Sequence, residues 1–191
     1  GEAGNSTIRK VVIATGAVTT LAGTAGSKGS TDGTGAAARF NYPMALTTDG
    51  TNLYVVDQGN YTIRKIVIAT GVVTTLAGTA GSSGSADGTG AAARFYYPSG
   101  ITTDGASLYV VDYFTIRKVM IATEAVTTLA GTTGLIGSTD GTGSAARFAY
   151  PEGVTTDGTN LYVADTFNNT IRKVVIATGV VTTLAGTAGS S

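Results

Sequence analysis

The tetrapeptide Thr-Ile-Arg-Lys begins at Thr7, Thr62, Thr115 and Thr170, so the chain is cut into near-copies at spacings of 55, 53 and 55 residues. A repeat of that length leaves two broad architectures, a stacked array of helices or a set of small sheets arranged around an axis. Local composition decides between them. Each unit is dense in Val, Ile, Thr and Gly, with charged residues at only 13%, which favours short strands and tight turns over helices. The copying is close. From Thr7 to Ser27 and from Thr170 to Ser190 a single position differs, Ala17 against Val180.

Four strands are predicted per unit. The first follows Pro, as in Pro98-Ser99-Gly100-Ile101-Thr102-Thr103, and ends at Asp104-Gly105, matched by Asp49-Gly50 and Asp157-Gly158. Asp-Gly between apolar runs is a hairpin signal, because both residues tolerate the left-handed backbone of a tight turn. The second strand is Leu53-Tyr54-Val55-Val56 with counterparts at Leu108 and Leu161, and a short loop after Asp57, Asp112 or Asp165 leads to the third, Thr62–Ile68. Thr70-Gly71 turns the chain into the fourth, Val72–Ala77; in the third of the four copies Glu124 stands where the others have Gly, so a different turn is expected there. The Gly/Ser/Thr-rich stretch between units contains Asp87-Gly88-Thr89-Gly90-Ala91-Ala92-Ala93-Arg94-Phe95, which reads as a capped single helical turn ending in an apolar anchor. Phe40, Phe95 and Phe148 recur at that anchor and are expected between neighbouring sheets.

Pro-x-Gly-Val, Asp-Gly, Leu-Tyr-Val-Ala-Asp, Asn, Ile-Arg-Lys and Val-Thr-Thr-Leu-Ala-Gly, best seen in Leu161–Asp165 with Asn168 and Ile171–Lys173, together resemble the NHL repeat over essentially the whole chain. Ala45 in place of Gly, and a two-residue shortening after Asp112 that removes the loop Asn, depart from that pattern. The resemblance implies an all-β fold, a β-propeller of NHL type with four-stranded antiparallel blades, usually six to a ring and with interaction surfaces on its faces. The expected domain is one partial propeller over residues 1–191, with a half blade at 1–23 and blades at about 41–78, 96–131 and 149–186. Three and a half blades fall short of the four to eight that close a ring, so the reading predicts a homodimer of six full blades.

Residue types narrow the chemistry. The chain has no Cys and no His, which removes disulfides, thiolate metal sites and the commonest general base at neutral pH. Twelve basic and twelve acidic residues cancel, giving no global field for nucleic acid. No apolar run approaches a membrane span, so neither nucleic acid nor membrane is an expected partner. Adjacent Arg and Lys of the third strands (Arg9/Lys10, Arg64/Lys65, Arg117/Lys118, Arg172/Lys173) point to opposite sides; a structural role is expected, with stems on apolar surface, heads in water and Asp57, Asp112 and Asp165 as partners. The Asp-Gly-Thr-Gly segments at Asp32, Asp87 and Asp140 faintly suggest calcium loops, but one carboxylate each is far from the six or more oxygens such a site takes. Turn or cap duty is expected instead, with no metal or cofactor. The sequons at Asn5, Asn60 and Asn168 fit loop positions, and bear on glycosylation only in a secreted or cell-surface protein. Lactonase-like and amidating-lyase-like propellers imply metal enzymes; here the innermost strands offer a single carboxylate, Glu152, and no His, so no enzyme activity is expected.

The differences between copies concentrate in the loop from second to third strand and in the stretch between units, which share the top face of a propeller. Gln58-Gly59-Asn60-Tyr61 becomes Tyr113-Phe114 and then Thr166-Phe167-Asn168-Asn169, while Met44, Ser99 and Glu152 are equivalent positions beside the channel mouth. The expected function is a non-catalytic scaffold or recognition module for a peptide, protein or glycan. Exposed Tyr61, Tyr113, Phe114 and Phe167 would be the anchors. A purely architectural, self-assembling repeat is the alternative, and a lactonase-like metal-dependent enzyme comes third.

Overall fold

The computed structural model describes residues 1–189, and Ser190, which closes the second of the near-identical copies, lies outside them. An N-terminal hairpin (Ile8–Val11, Val18–Ala22) is followed by three sheets. Blade one comprises Pro43–Thr48, Asn52–Asp57, Thr62–Val67 and Val72–Ala77. Blade two comprises Pro98–Thr103, Ser107–Asp112, Thr115–Met120 and Ala125–Gly131. Blade three comprises Pro151–Thr156, Asn160–Asp165, Thr170–Val175 and Val180–Ala185. The four strands of each blade pair antiparallel in chain order, and the first strand of blade two touches the first strands of both neighbours. This is the radial arrangement of a β-propeller, with first strands innermost.

Each sheet has five strands where four were expected. Gly33–Thr34, Gly88–Thr89 and Gly141–Thr142 add a two-residue outer strand to the fourth strand of the blade that follows them in sequence. Two residues carry no hydrophobic alternation, so only the long-range pairing reveals this strand. The expected helical turn is a 3-10 turn at Gly35–Ala37, Gly90–Ala92 and Gly143–Ala145, and no side chain caps it. Asp32, Asp87 and Asp140 are drawn to another task, described below. The turn at Glu124 does not differ from its counterparts: Glu124 adopts φ 58° beside φ 68°, 71° and 69° at Gly16, Gly71 and Gly179, and its N–H donates to Met120 O at 2.8 Å just as Gly71 N–H donates to Val67 O at 2.8 Å.

Because blades one and two are covered on both sides, alternate residues of one strand serve two different seams. Ile63, Tyr54 and Val56 of blade one meet Phe95, Leu108 and Val110 in the seam with blade two. Ile66 and Val55, on the opposite face, meet Phe40, Ile8 and Ala22 of the hairpin. Phe148 fills the next seam, between Tyr109, Val111 and Ile116 and the residues Leu161, Val163 and Val174. All three Phe side chains are fully buried, in the place expected of them.

The same seams bury arginine. Arg64, Arg117 and Arg172 have no exposed surface, so their heads are not in water as expected; the Asp partners are the expected ones. Arg64 Nη1 donates to Asp57 at 2.9 Å and to Arg39 O at 2.9 Å, while Nη2 donates to Asp32 at 2.7 Å and Thr31 O at 3.2 Å. Blades two and three repeat the pattern with Asp112 and Asp87, and with Asp165 and Asp140. Each guanidinium carbon lies 5.2–5.4 Å from the centroid of Phe40, Phe95 or Phe148. Two carboxylates, two carbonyls and a ring face replace the lost hydration of the two Nη groups, while Nε–H has no partner among the described residues. Asp32 also accepts from the Thr75 N–H and hydroxyl, fastening the outer strand, so its carboxylate is a clamp and not a helix cap.

Candidate ligand-binding site

The buried aspartates that hold the arginines also aim the segment entering each first strand. Asp57 Oδ1 accepts from Asn41 N–H at 2.7 Å, Asp165 Oδ1 from Ala149 N–H at 2.7 Å, and Asp112 Oδ1 from the N–H groups of Tyr96 and Tyr97, both at 2.8 Å. Burial pushes the Asp57 and Asp112 carboxyls above their usual range, against the pull of these donors and of the arginines. The aspartates thus connect seam and surface, because the segments they hold carry Tyr42, Tyr97 and Tyr150.

At the mouth of these inner strands a cavity of about 230 Å³ opens, lined by Met44, Gln58, Tyr97, Ser99, Tyr113, Tyr150, Pro151 and Glu152. Met44, Ser99 and Glu152, expected from their equivalent positions, do converge on it, and Tyr113 joins them. A run of rings borders the cavity. Tyr113 contacts Tyr96 at 4.9 Å and Tyr150 at 5.5 Å between centroids, Phe114 meets Tyr150 at 5.0 Å, and Tyr150 meets Phe167 at 4.7 Å. Phe167 is 68% exposed at the end of this run. Tyr61 is half-buried at the left-handed end of the 3-10 turn Gln58–Asn60 and does not line the cavity.

Phe114 is only 3% exposed, which corrects the expectation of an exposed anchor. The loop after Asp112 is two residues short, so Tyr113 takes the left-handed position (φ 58°) and Phe114 is drawn in directly before Thr115, under Tyr113 and Tyr150. Tyr97, Tyr150 and Gln58 are site residues that sequence reasoning missed. The signal for the two tyrosines is the tyrosine directly before each first-strand proline, at 42, 97 and 150.

Backbone strain gathers here as well. Tyr42 and Tyr150 have φ of 59° and 46°, although each precedes a proline and carries a bulky side chain. Such conformations cost about 1–3 kcal/mol each and persist where surrounding structure enforces them, often at binding sites. The polar wall is sparse. Gln58 Nε2 donates to Pro98 O at 3.0 Å, tying blade one to blade two, and Ser99 Oγ lies 3.5 Å from the carbonyls of Pro151 and Glu152.

No family model matches the chain. In sequence it is 33% identical over 144 residues to human NHL repeat-containing protein 2, a match that takes in 69% of this chain and 20% of that protein. The chain thus spans about a fifth of this curated relative. Among solved structures, a protein of unknown function from Bacteroides thetaiotaomicron superposes with a TM-score of 0.71 at 28% identity, over 89% of this chain and 42% of its own. Virginiamycin B lyase from Staphylococcus aureus superposes with a TM-score of 0.62 at 17% identity, over 97% of this chain and 50% of its own, a likeness of fold alone. Sequence and structure together make this chain a run of β-propeller blades similar to those of NHL repeat-containing proteins.

Proposed function

We propose that these are NHL-type blades serving as a non-catalytic recognition module, with a peptide, protein or glycan held over the aromatic mouth. One observation carries the reading: five positions at which the near-identical units differ, Met44, Gln58, Ser99, Tyr113 and Glu152, line a single cavity together with Tyr97 and Tyr150, and the backbones of Tyr42 and Tyr150 are strained. Rigid aromatics on a fixed sheet give contact area at low entropic cost. The wall has one carboxylate and no imidazole or thiol, a poor set for acid–base or nucleophilic chemistry. Peptide and glycan arrays probed with the wild type and with Tyr97→Ala/Tyr150→Ala test the reading. Specific binding that disappears in the double variant, while circular dichroism shows the variant still folded at the assay temperature, is the expected result; binding that survives would place the ligand elsewhere.

An architectural role is favoured by a different observation. On the far face of blade three, Ile171 is 40% and Leu184 56% exposed, whereas their counterparts Ile63 and Leu76 are 0% and 5% exposed. Gly153, Val154, Thr155, Tyr162, Ala164 and Ile171 line an open apolar cleft there. The N-terminal hairpin shows how that sequence is satisfied, since Ile8, the equivalent of Ile171, is 1% exposed against Phe40. We infer that a second copy of the chain covers this face, its Phe40 seam receiving blade three in place of its own hairpin. A homodimer is then the partner, and array binding by neither wild type nor variant would leave assembly as the function.

A further inference from the structure

The ligand chemistry of the mouth cavity can be taken further, on the premise that the cavity is a recognition site. One of the three equivalent tyrosines already holds a cation. Lys28 Nζ lies 5.5 Å from the centroid of the Tyr42 ring. Lys28 belongs to Ser27-Lys28-Gly29, whose counterparts are Ser82-Ser83-Gly84 and Leu135-Ile136-Gly137. The next two units therefore keep the ring, as Tyr97 and Tyr150, and lack the ammonium. Tyr97 is 54% exposed and, among the described residues, packs against no other ring.

A carboxylate accompanies the uncovered Tyr97 ring. Glu152, two residues after Tyr150, stands where the other units have Met44 and Ser99. It is exposed, lines the cavity and forms no ion pair among the described residues. Of the amide and aliphatic hydroxyl groups on the wall, Gln58 Nε2 is committed to Pro98 O and the Ser99 hydroxyl faces two carbonyls, so a neutral sugar would depend on the tyrosine hydroxyls. Ring faces, the thioether of Met44 and one unpaired carboxylate suit a different guest, a soft cation with an apolar body.

We propose that the mouth cavity binds an organic ammonium ion, its charge set against the Tyr97 face and the Glu152 carboxylate and its aliphatic body against Met44. The same chemistry is offered by the side chain of a basic peptide and by a free quaternary amine. Titrating the 191-residue protein by calorimetry and NMR with choline, with its neutral isostere 3,3-dimethyl-1-butanol and with acetyl-Gly-Lys-Gly-amide tests the idea. At least one cation should bind about tenfold more tightly than the alcohol, the size of a partly desolvated cation–π contact with carboxylate support. The order of choline and lysine peptide identifies the source. Glu152→Gln should weaken the cation several-fold and leave the alcohol unchanged. Tyr97→Ala should abolish binding and Tyr97→Phe retain it, with melting curves unaltered because both side chains are exposed. Equal affinity for cation and alcohol, failure of both cations to bind, or indifference to Glu152→Gln would overturn the proposal. A neutral array ligand lost in Tyr97→Ala/Tyr150→Ala would then leave the recognition reading standing without the cation.

Discussion

Single residues show how the repeat tolerates change. Glu124 occupies a left-handed position that its three counterparts fill with Gly, and the turn is kept at the expense of the side chain's clash with its own backbone. Glu124→Gly is therefore expected to stabilise the protein by about 1 kcal/mol, read as an upward shift in a thermal or urea melt; an unchanged or lower midpoint would mean that the glutamate makes a compensating contact. The arginines mark the limit of reading residues one at a time. Arg64 and Lys65 are adjacent and alternate in direction, so the sequence announces that they diverge, but only the seam shows which is buried. Asp32 could be assigned to a turn from its neighbours, while its clamp on Arg64 and Thr75 spans 32 and 43 residues of chain.

At the scale of elements, strands and hairpins were legible because they are local. Asp49-Gly50, Asp104-Gly105 and Asp157-Gly158 make the turns expected of them, with each glycine at φ near 90° and each Asp accepting from N–H groups two and three residues on. Those bonds hold the Asp157 carboxyl below its ordinary range, as its contacts with Asn160, Thr159 and Tyr162 all favour the anion. The two-residue outer strands and the burial of Phe114 were illegible, being set by pairing across 36 to 40 residues and by a loop that is two residues short. The recurring Phe was legible as an anchor through its repeat position. Phe95 is enclosed by both blades and lies under Arg117, so Phe95→Ala should cost about 3–5 kcal/mol by emptying a close-packed site. Chemical denaturation measures it directly, and a loss below about 1 kcal/mol would place the ring outside the load of the seam.

For the whole molecule the seam is the organising unit. Every internal sheet face is covered by another blade or by the hairpin through an Ile, a Phe and a buried Arg, and the mouth cavity exists because three first strands are held side by side by those contacts. Tyr97 and Tyr150 escaped sequence reasoning for this reason, since convergence is a property of the assembled arc and not of any repeat. The far face of blade three has the same residues and no cover among the described residues: Ile171 and Leu184 stand exposed on a surface whose counterparts are closed. Apolar faces of this kind on soluble proteins are normally partner surfaces, and a two-fold pairing satisfies both copies at once. Light scattering on a sizing column, applied to the 191-residue chain at micromolar concentration, tests the principle that each seam must be filled by its own kind. The account predicts a mass about twice the 19.0 kDa of one chain, shifting toward monomer with Ile171→Asp; a stable, folded wild-type monomer would contradict it.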